Sequence, residues 1–385
     1  MASSTIAILE RLIAFDTVSA RSNLALIRWI GDYLAELGIA VEIIPAPDGQ
    51  PKANLWATIG PVRDGGIVLS GHTDVVPVDG QPWSSDPFQL RDGGARLYGR
   101  GTCDMKGFIA ICLALVPEML AQPLRTPLHF AFSYDEELGC LGAPHLLAAI
   151  GQRLPRPRIA IIGEPTGMKL GIRHKGVYSF ATEVTGKDGH SSQPGRGLNA
   201  IALAAEVIGE MNRIYAGIVS DGPFDRTFDP PHSSFNLGTI EGGTAVNIIA
   251  RQCRFLWDFR AIPGGHPDQI LKPLAEFVAQ RLDSLRKSCP EADIVTIPRV
   301  AGPALVEEHD SAAEALLKHL TGVNETVSLP YATEAGQFQE AGMSAIVCGP
   351  GHIAQAHQPD EFVDKDQMQA CEALMRRLIG WAREN

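Results

Sequence analysis

The chain has 385 residues, of which 45% are hydrophobic and 20% charged, and its formal net charge is −11. That length exceeds what one ordinary core holds, so two domains are expected, and the composition excludes a disordered chain. The acidic balance argues against nucleic acid or an anionic membrane as the main partner, and no stretch reaches the roughly 18–20 apolar residues that span a bilayer.

In chain order, Ile6, Leu9, Leu12 and Ile13 repeat at helical spacing, and Leu24 to Leu37 reads as a second helix stopped by Gly38. Strand-like runs follow at 54–59, 66–70, 128–133 and 158–162, with an apolar helix over 107–120 between them. This alternation predicts an α/β domain, a mixed but largely parallel sheet with helices on both faces. After Gly171 the pattern changes to strand 177–184, helix 198–215, strands 235–240 and 254–260, helix 267–285 and strand 293–298. That order, β-α-β-β-α-β, is ferredoxin-like. A helix near 311–320, a strand near 344–348 and a final helix from Gln367 return to mixed α/β. The expected organisation is a catalytic domain in two parts, 1–175 and 301–385, interrupted by a compact domain over 176–300. The polar stretch 217–233 is expected to be a mobile loop.

No basic segment with a long apolar stretch behind it opens the chain, so a signal peptide is not expected and a cytoplasmic location is. The seven cysteines are scattered, odd in number and without a CxxC pair. They predict reduced thiols, mostly small core residues, in a reducing compartment.

Chemistry-bearing residues gather where strands end, which is where open α/β sheets bind ligands. His72 closes an apolar strand in Gly71-His72-Thr73-Asp74-Val75-Val76-Pro77, and Asp74 is placed to orient its ring. The alternative for His72 is a hydrogen-bonded turn histidine. Asp104, in Gly99-Arg100-Gly101-Thr102-Cys103-Asp104-Met105-Lys106-Gly107, stands just ahead of a helix, where a plain N-cap is the competing reading. Asp135-Glu136-Glu137 follows another apolar strand. Three adjacent acids repel and need a compensating cation, and neighbouring side chains on an extended segment diverge. One glutamate can therefore bind metal while the other faces the substrate as a base. Gly163-Glu164-Pro165-Thr166 ends a further strand, and a late segment, 349–361, carries His352 and His357. Nitrogen and oxygen donors without thiolate suit catalytic zinc, or manganese or cobalt, and two cations bridged by one carboxylate would neutralise this many acids. Dinucleotide, P-loop, nucleophile-elbow and HExxH motifs are absent.

These segments, together with Gly189-His190-Ser191-Ser192-Gln193-Pro194 and Asp258-Phe259-Arg260-Ala261-Ile262-Pro263-Gly264, resemble the zinc-dependent aminoacylase and exopeptidase group over nearly the whole chain. That group includes acetylornithine deacetylases, succinyl-diaminopimelate desuccinylases and metallo-carboxypeptidases. The resemblance implies that His72, Glu164 and Asp104 bind one metal, with Asp104 bridging, and that Glu137 and His357 bind the other. It implies Glu136 as general base, Asp74 as the residue orienting His72, and His190, Asn247 and Arg260 as substrate contacts on the inserted domain. That domain is then a dimerisation domain, and the protein a homodimer. Tyr331-Ala332-Thr333-Glu334-Ala335, followed by Gly349-Pro350-Gly351 and Gln355-Ala356-His357, looks like the acetylornithine-cleaving branch, with Thr333, Glu334 and Gly351 near the substrate. The implied partner is a small N-acyl amino acid. A desuccinylase, a dipeptidase or carboxypeptidase, and a catalytically silent metal- or ligand-binding relative are the alternatives.

Overall fold

The structure is a computed structural model and describes residues 4–47 and 49–385. The chain forms two compact units, one comprising residues up to His174 together with Leu305–Asn385, the other Lys175–Ala304. Among the described residues no helix is long and apolar enough to cross a membrane.

The first unit is built on an eight-stranded sheet. Its order is Val41–Pro45, Ala53–Ile59, Leu128–Ser133, Ile67–His72, Ile159–Pro165, Ser344–Gly349, Leu170–His174 and Thr326–Leu329. The four central strands, from Leu128–Ser133 to Ser344–Gly349, run parallel. Period-2 alternation explains why both faces are covered. Ile67, Leu69, Phe130, Ile159 and Ile161 join one core with the helices Thr5–Ile13, Leu24–Glu36, Lys106–Ala114, Ala312–Thr321 and Lys365–Glu384. Val68, Ala131, Ala160 and Ile162 point the other way, into a second core with Leu146, Phe338 and Met343. All four central strands end at one edge, so the residues that follow them share a rim.

The second unit has the expected β-α-β-β-α-β order. Its sheet runs Ser234–Gly242, Gln252–Ala261, Gly176–Thr185, Asp293–Gly302, with every pair antiparallel. The helices Ala200–Asp221 and Asp268–Leu285 share one core with the sheet through Leu203, Val207, Phe255, Trp257 and Leu274.

Several expectations need correction. Val41–Pro45, Leu170–His174 and Thr326–Leu329 are strands that no strong alternation announces. The two outermost are short and leave a single residue fully buried each. The helix over 107–120 is two helices, Lys106–Ala114 and Val116–Leu120, because Pro117 lacks the N–H that would continue the first. The expected loop over 217–233 starts later, since the helix continues to Asp221 and ends at Gly222 with φ 79°.

His129 offers a test of the sheet's packing. Its ring is buried against Trp56, with centroids 4.9 Å apart, and its Nδ1 is 3.0 Å from the Thr58 hydroxyl. Burial pushes its pKa down to about 4. The folded protein therefore keeps His129 neutral over a range where the unfolded chain, with an ordinary value near 6.5, takes up a proton. Acid then favours unfolding, by up to about 1.4 kcal/mol per pH unit, between those two values. Urea midpoints measured from pH 7 to pH 4 should fall less steeply in His129→Gln than in the parent.

Candidate metal centre

His72 is the last residue of its strand, Glu164 lies one residue before the end of the next, and Asp135-Glu136-Glu137 follows Leu128–Ser133 on the other side. Asp104 precedes the helix Lys106–Ala114, but it is not its cap: the N-cap position is Met105. His357 comes from the loop after Ser344–Gly349, with φ 62°.

These segments meet. One oxygen of Asp104 lies 3.0 Å from His72 Nε2 and the other 3.2 Å from His357 Nε2. Glu164 Oε1 is 3.5 Å from His72 Nε2, and Glu137 Oε2 is 3.1 Å from His357 Nε2. Asp104 thus stands between two histidines, each with its own glutamate. The ligand atoms of His72, Glu136 and Glu164 lie within 4.8 Å of one another, as do those of His72, Asp104 and Glu137. Both glutamates approach His72, Glu136 on the side of Glu164 and Glu137 on the side of Asp104 and His357. The ring of His352 lies instead against Gly167.

The electrostatics are those of a site crowded with acid. Burial, followed by repulsion from Asp104, pushes Glu137 up to about 7. Burial and repulsion from neighbouring carboxyls raise Glu136 and Glu164 well above the carboxylate range. Burial works against a charged His72, but Glu164, Asp104 and Glu136 outweigh it and hold its pKa well above the usual value. Hydrogen bonds to Asp104 and Glu137 lift His357 to about 10. Among the described residues no lysine or arginine pairs with Asp104, Glu136, Glu137 or Glu164. Two imidazoles and several carboxylates with no lysine or arginine among them fit divalent cations, which would take the place of the imidazole protons.

What holds the acidic turn is a finding that the sequence reading missed. The Asp74 main-chain carbonyl accepts from His72 Nδ1 at 2.9 Å, whereas its carboxylate is 3.7 Å from that nitrogen. The carboxylate instead accepts from the backbone N–H of Glu136 (3.1 Å) and Glu137 (3.3 Å) and from the Ser19 hydroxyl (2.7 Å). Asp74 orients the ring through its backbone and grips the acidic turn with its side chain. Asp135, the first of the three acids, turns away, with φ 54°, to a buried ion pair with Lys52 Nζ at 2.5 Å. The Cys140 thiol donates to Glu136 Oε1 at 3.3 Å. The only hint of Lys52 in the sequence is a lysine at the mouth of an apolar strand.

Three expected substrate contacts lie beneath the surface. Thr333 is 0% exposed, and its hydroxyl is engaged by His174 Nε2 and by the Ala335 N–H, both at 3.0 Å. Glu334 is 2% exposed and accepts from the Ser70 hydroxyl at 3.3 Å, with burial pushing its pKa up to about 7. Both support the rim from behind, because the turn before the helix Ala335–Glu340 packs down onto the sheet. Gly351 is also buried; with φ 87°, its missing Cβ would fall 2.5 Å from Cys103 Sγ. His190, Asn247 and Arg260 belong to the second unit, and all three are exposed. His190 bridges to Ile248, and the Ser191 N–H donates to the Asn247 carbonyl, so His190 and Asn247 are neighbours. His190 Nδ1 accepts from the Ser192 N–H, which puts the ring proton on Nε2. Arg260 is near the far end of the strand Gln252–Ala261, its Nε on Asp258 at 3.1 Å.

The model of peptidase family M20/M25/M40 matches residues 68–380. The chain belongs to that family. Similar family members include the acetylornithine deacetylase of Yersinia pestis, 37% identical over 95% of this chain and 92% of that protein. That of Proteus mirabilis (strain HI4320) is 36% identical over 96% and 94%. Among solved structures, an M20 metallo-carboxypeptidase from Sulfolobus solfataricus superposes with a TM-score of 0.72 at 16% identity, covering 100% of both chains. A dinuclear metal-binding M20 peptidase from Bacillus subtilis gives 0.65 at 17%, covering 99% and 98%. At such identities the structures bear on the fold alone.

The Lys52–Asp135 pair is testable apart from any activity. Lys52→Met leaves Asp135 buried without its cation and should cost about 3–5 kcal/mol of stability. Lys52→Met combined with Asp135→Asn should recover most of that loss in urea unfolding. An equal loss in both proteins would remove the ion pair as its source.

Proposed function

We propose that this protein is a two-metal amide hydrolase that removes the acetyl group from N2-acetyl-L-ornithine, yielding ornithine and acetate for arginine biosynthesis. The observation that carries the chemistry is the Asp104 carboxylate standing between His72 and His357, with Glu136 beside the first histidine. The substrate rests on the family members named above. Zinc suits the donor set, with cobalt or manganese as substitutes. His72, Asp104 and Glu164 would hold one ion, and Asp104, Glu137 and His357 the other. When bound, the two ions supply Lewis acidity, which makes water acidic near neutral pH and stabilises negative charge on oxygen.

The chain's own residues do the rest. Glu136 takes the proton of the attacking water and returns it to the leaving amine. The Cys140 thiol and the grip of Asp74 on the backbone keep that carboxylate aimed. Arg260 offers a planar fork of donors to the substrate α-carboxylate. His190, with its proton on Nε2, donates to the tetrahedral oxyanion. Asn247 lies in the loop just ahead of the strand Gln252–Ala261, with His190 beside it, and Arg260 is near the strand's far end; Gln252 to Arg260 alone spans roughly 25 Å at the rise of a strand. Both ends can serve one small substrate only if they come from different chains. This supports a homodimer in which His190 and Asn247 act in trans. All seven cysteines are free, which fits the cytoplasm.

Glu136→Gln keeps shape but cannot take the proton. It should lose roughly 10²–10⁴-fold in kcat while metal content stays at the parent level. Loss of metal would instead make Glu136 a ligand. In a panel of N-acetylornithine, N-succinyl-diaminopimelate and simple dipeptides, N-acetylornithine should give the highest kcat/KM; another winner would overturn the substrate.

Subunit mixing tests the dimer. Glu136→Gln and His190→Ala proteins should each be nearly inactive. After joint refolding with half the products heterodimeric, activity should return to about a quarter of the parent level. No recovery, with heterodimers present by native mass spectrometry, would mean that His190 does not act in trans.

A further inference from the structure

The loop bearing Asp104 is held from behind by one carboxylate. Glu361 is 1% exposed, and its Oε1 accepts from three backbone N–H groups, those of Gly101 (3.0 Å), Cys103 (2.9 Å) and Asp104 (3.1 Å). Its Oε2 accepts from Arg100 Nη1 at 2.7 Å. Arg100, equally buried, donates through Nη2 to Gln81 Oε1 at 2.6 Å, and Gln81 Nε2 donates to the main-chain carbonyl of His357 at 2.9 Å. Glu361 is also four residues from His357 along the chain. One chain of hydrogen bonds thus runs from the backbone of Asp104 to the backbone of His357.

The remaining candidate ligands are anchored differently. His72 is paired with Ser133 in the sheet ladder, and Glu164 lies within its strand between the paired residues Ile162 and Pro165. His357 stands in a loop at positive φ, with its side chain 49% exposed. Its position relative to Asp104 depends on what ties the two loops together. We propose that Glu361, acting with Arg100 and Gln81, is a positioning residue that preforms one of the two metal positions, the one made by Asp104, Glu137 and His357, and leaves the His72–Glu164 position to the sheet. This rests on the two-metal reading given above. Removing the acceptor strands three converging N–H groups and frees the Asp104 carboxylate to turn away from His357.

The test is zinc titration of the apoprotein against a chromophoric chelator, with no turnover involved. The parent should take up two ions in resolvable steps; fewer than two would overturn the two-metal reading and this proposal with it. Glu361→Gln keeps one oxygen for the N–H groups but turns amide donors toward Arg100. The affinity of one ion should fall by about 10–100-fold, and that of the other, which shares Asp104 but keeps His72 and Glu164, by at least several-fold less. Gln81→Ala, a partly exposed change that spares folding, should weaken the same ion several-fold. Unchanged affinities in folded Glu361→Gln protein, or equal weakening of both ions, would overturn the proposal. Should Glu361→Gln fail to fold, unchanged or equally weakened affinities in Gln81→Ala would do the same.

Discussion

Buried negative charge is the constraint on which the rest of this structure depends. Asp104, Glu136, Glu137 and Glu164 crowd around two histidines, with Glu334 behind them, and no lysine or arginine among the described residues pairs with the first four. Burial and mutual repulsion drive Glu136, Glu137 and Glu164 toward the protonated form, whereas at Asp104 burial is outweighed by the hydrogen bonds of His357 and His72, which hold it below the usual carboxylate range. Divalent cations resolve that repulsion without adding a side chain. The buried cations nearby are placed elsewhere. Lys52 meets Asp135, and Arg100 meets Glu361. In both cases a protein cation neutralises an acid that builds the scaffold, and the acids of the candidate centre keep no lysine or arginine partner.

Holding loops against that repulsion calls for directional contacts. Two buried carboxylates, Asp74 and Glu361, do so in the same way, each accepting from the backbone N–H groups of a loop that bears candidate ligands. Backbone N–H groups cannot change rotamer, so a carboxylate that binds two or three of them fixes the path of the chain and, with it, the direction of the side chains. Strand-borne His72 and Glu164 need no such device. The division follows from the parallel sheet, whose strands carry two of the candidate ligands and whose connecting loops carry the rest.

The second unit answers to a different constraint. Its antiparallel sheet packs two helices on one face and carries polar groups at both ends of the strand Gln252–Ala261, with His190 and Asn247 near one end and Arg260 near the other. A strand of ten residues is too long for its two ends to reach one small molecule.

By itself the sequence determined the architecture and the chemical inventory. Apolar runs with period 2 or 3.6 marked the central strands and long helices, because buried faces must repeat with the geometry of their element. His72, Asp104, Glu136, Glu137 and Glu164 were legible because each stands at the end of such an apolar run or just ahead of a helix, where a polar group has no structural reason to cluster with others. Only the tertiary structure decided how those residues are held. The Lys52–Asp135 pair joins residues 83 apart, and the grip of Glu361 on Asp104 spans 257. No local pattern encodes either. It also buried Thr333 and Glu334, expected near the substrate, because a turn's depth depends on what packs over it and not on its own composition. Short outer strands such as Val41–Pro45 stayed invisible for a related reason: with one face solvated and little burial, they take their conformation from the neighbouring strand rather than from their own residues.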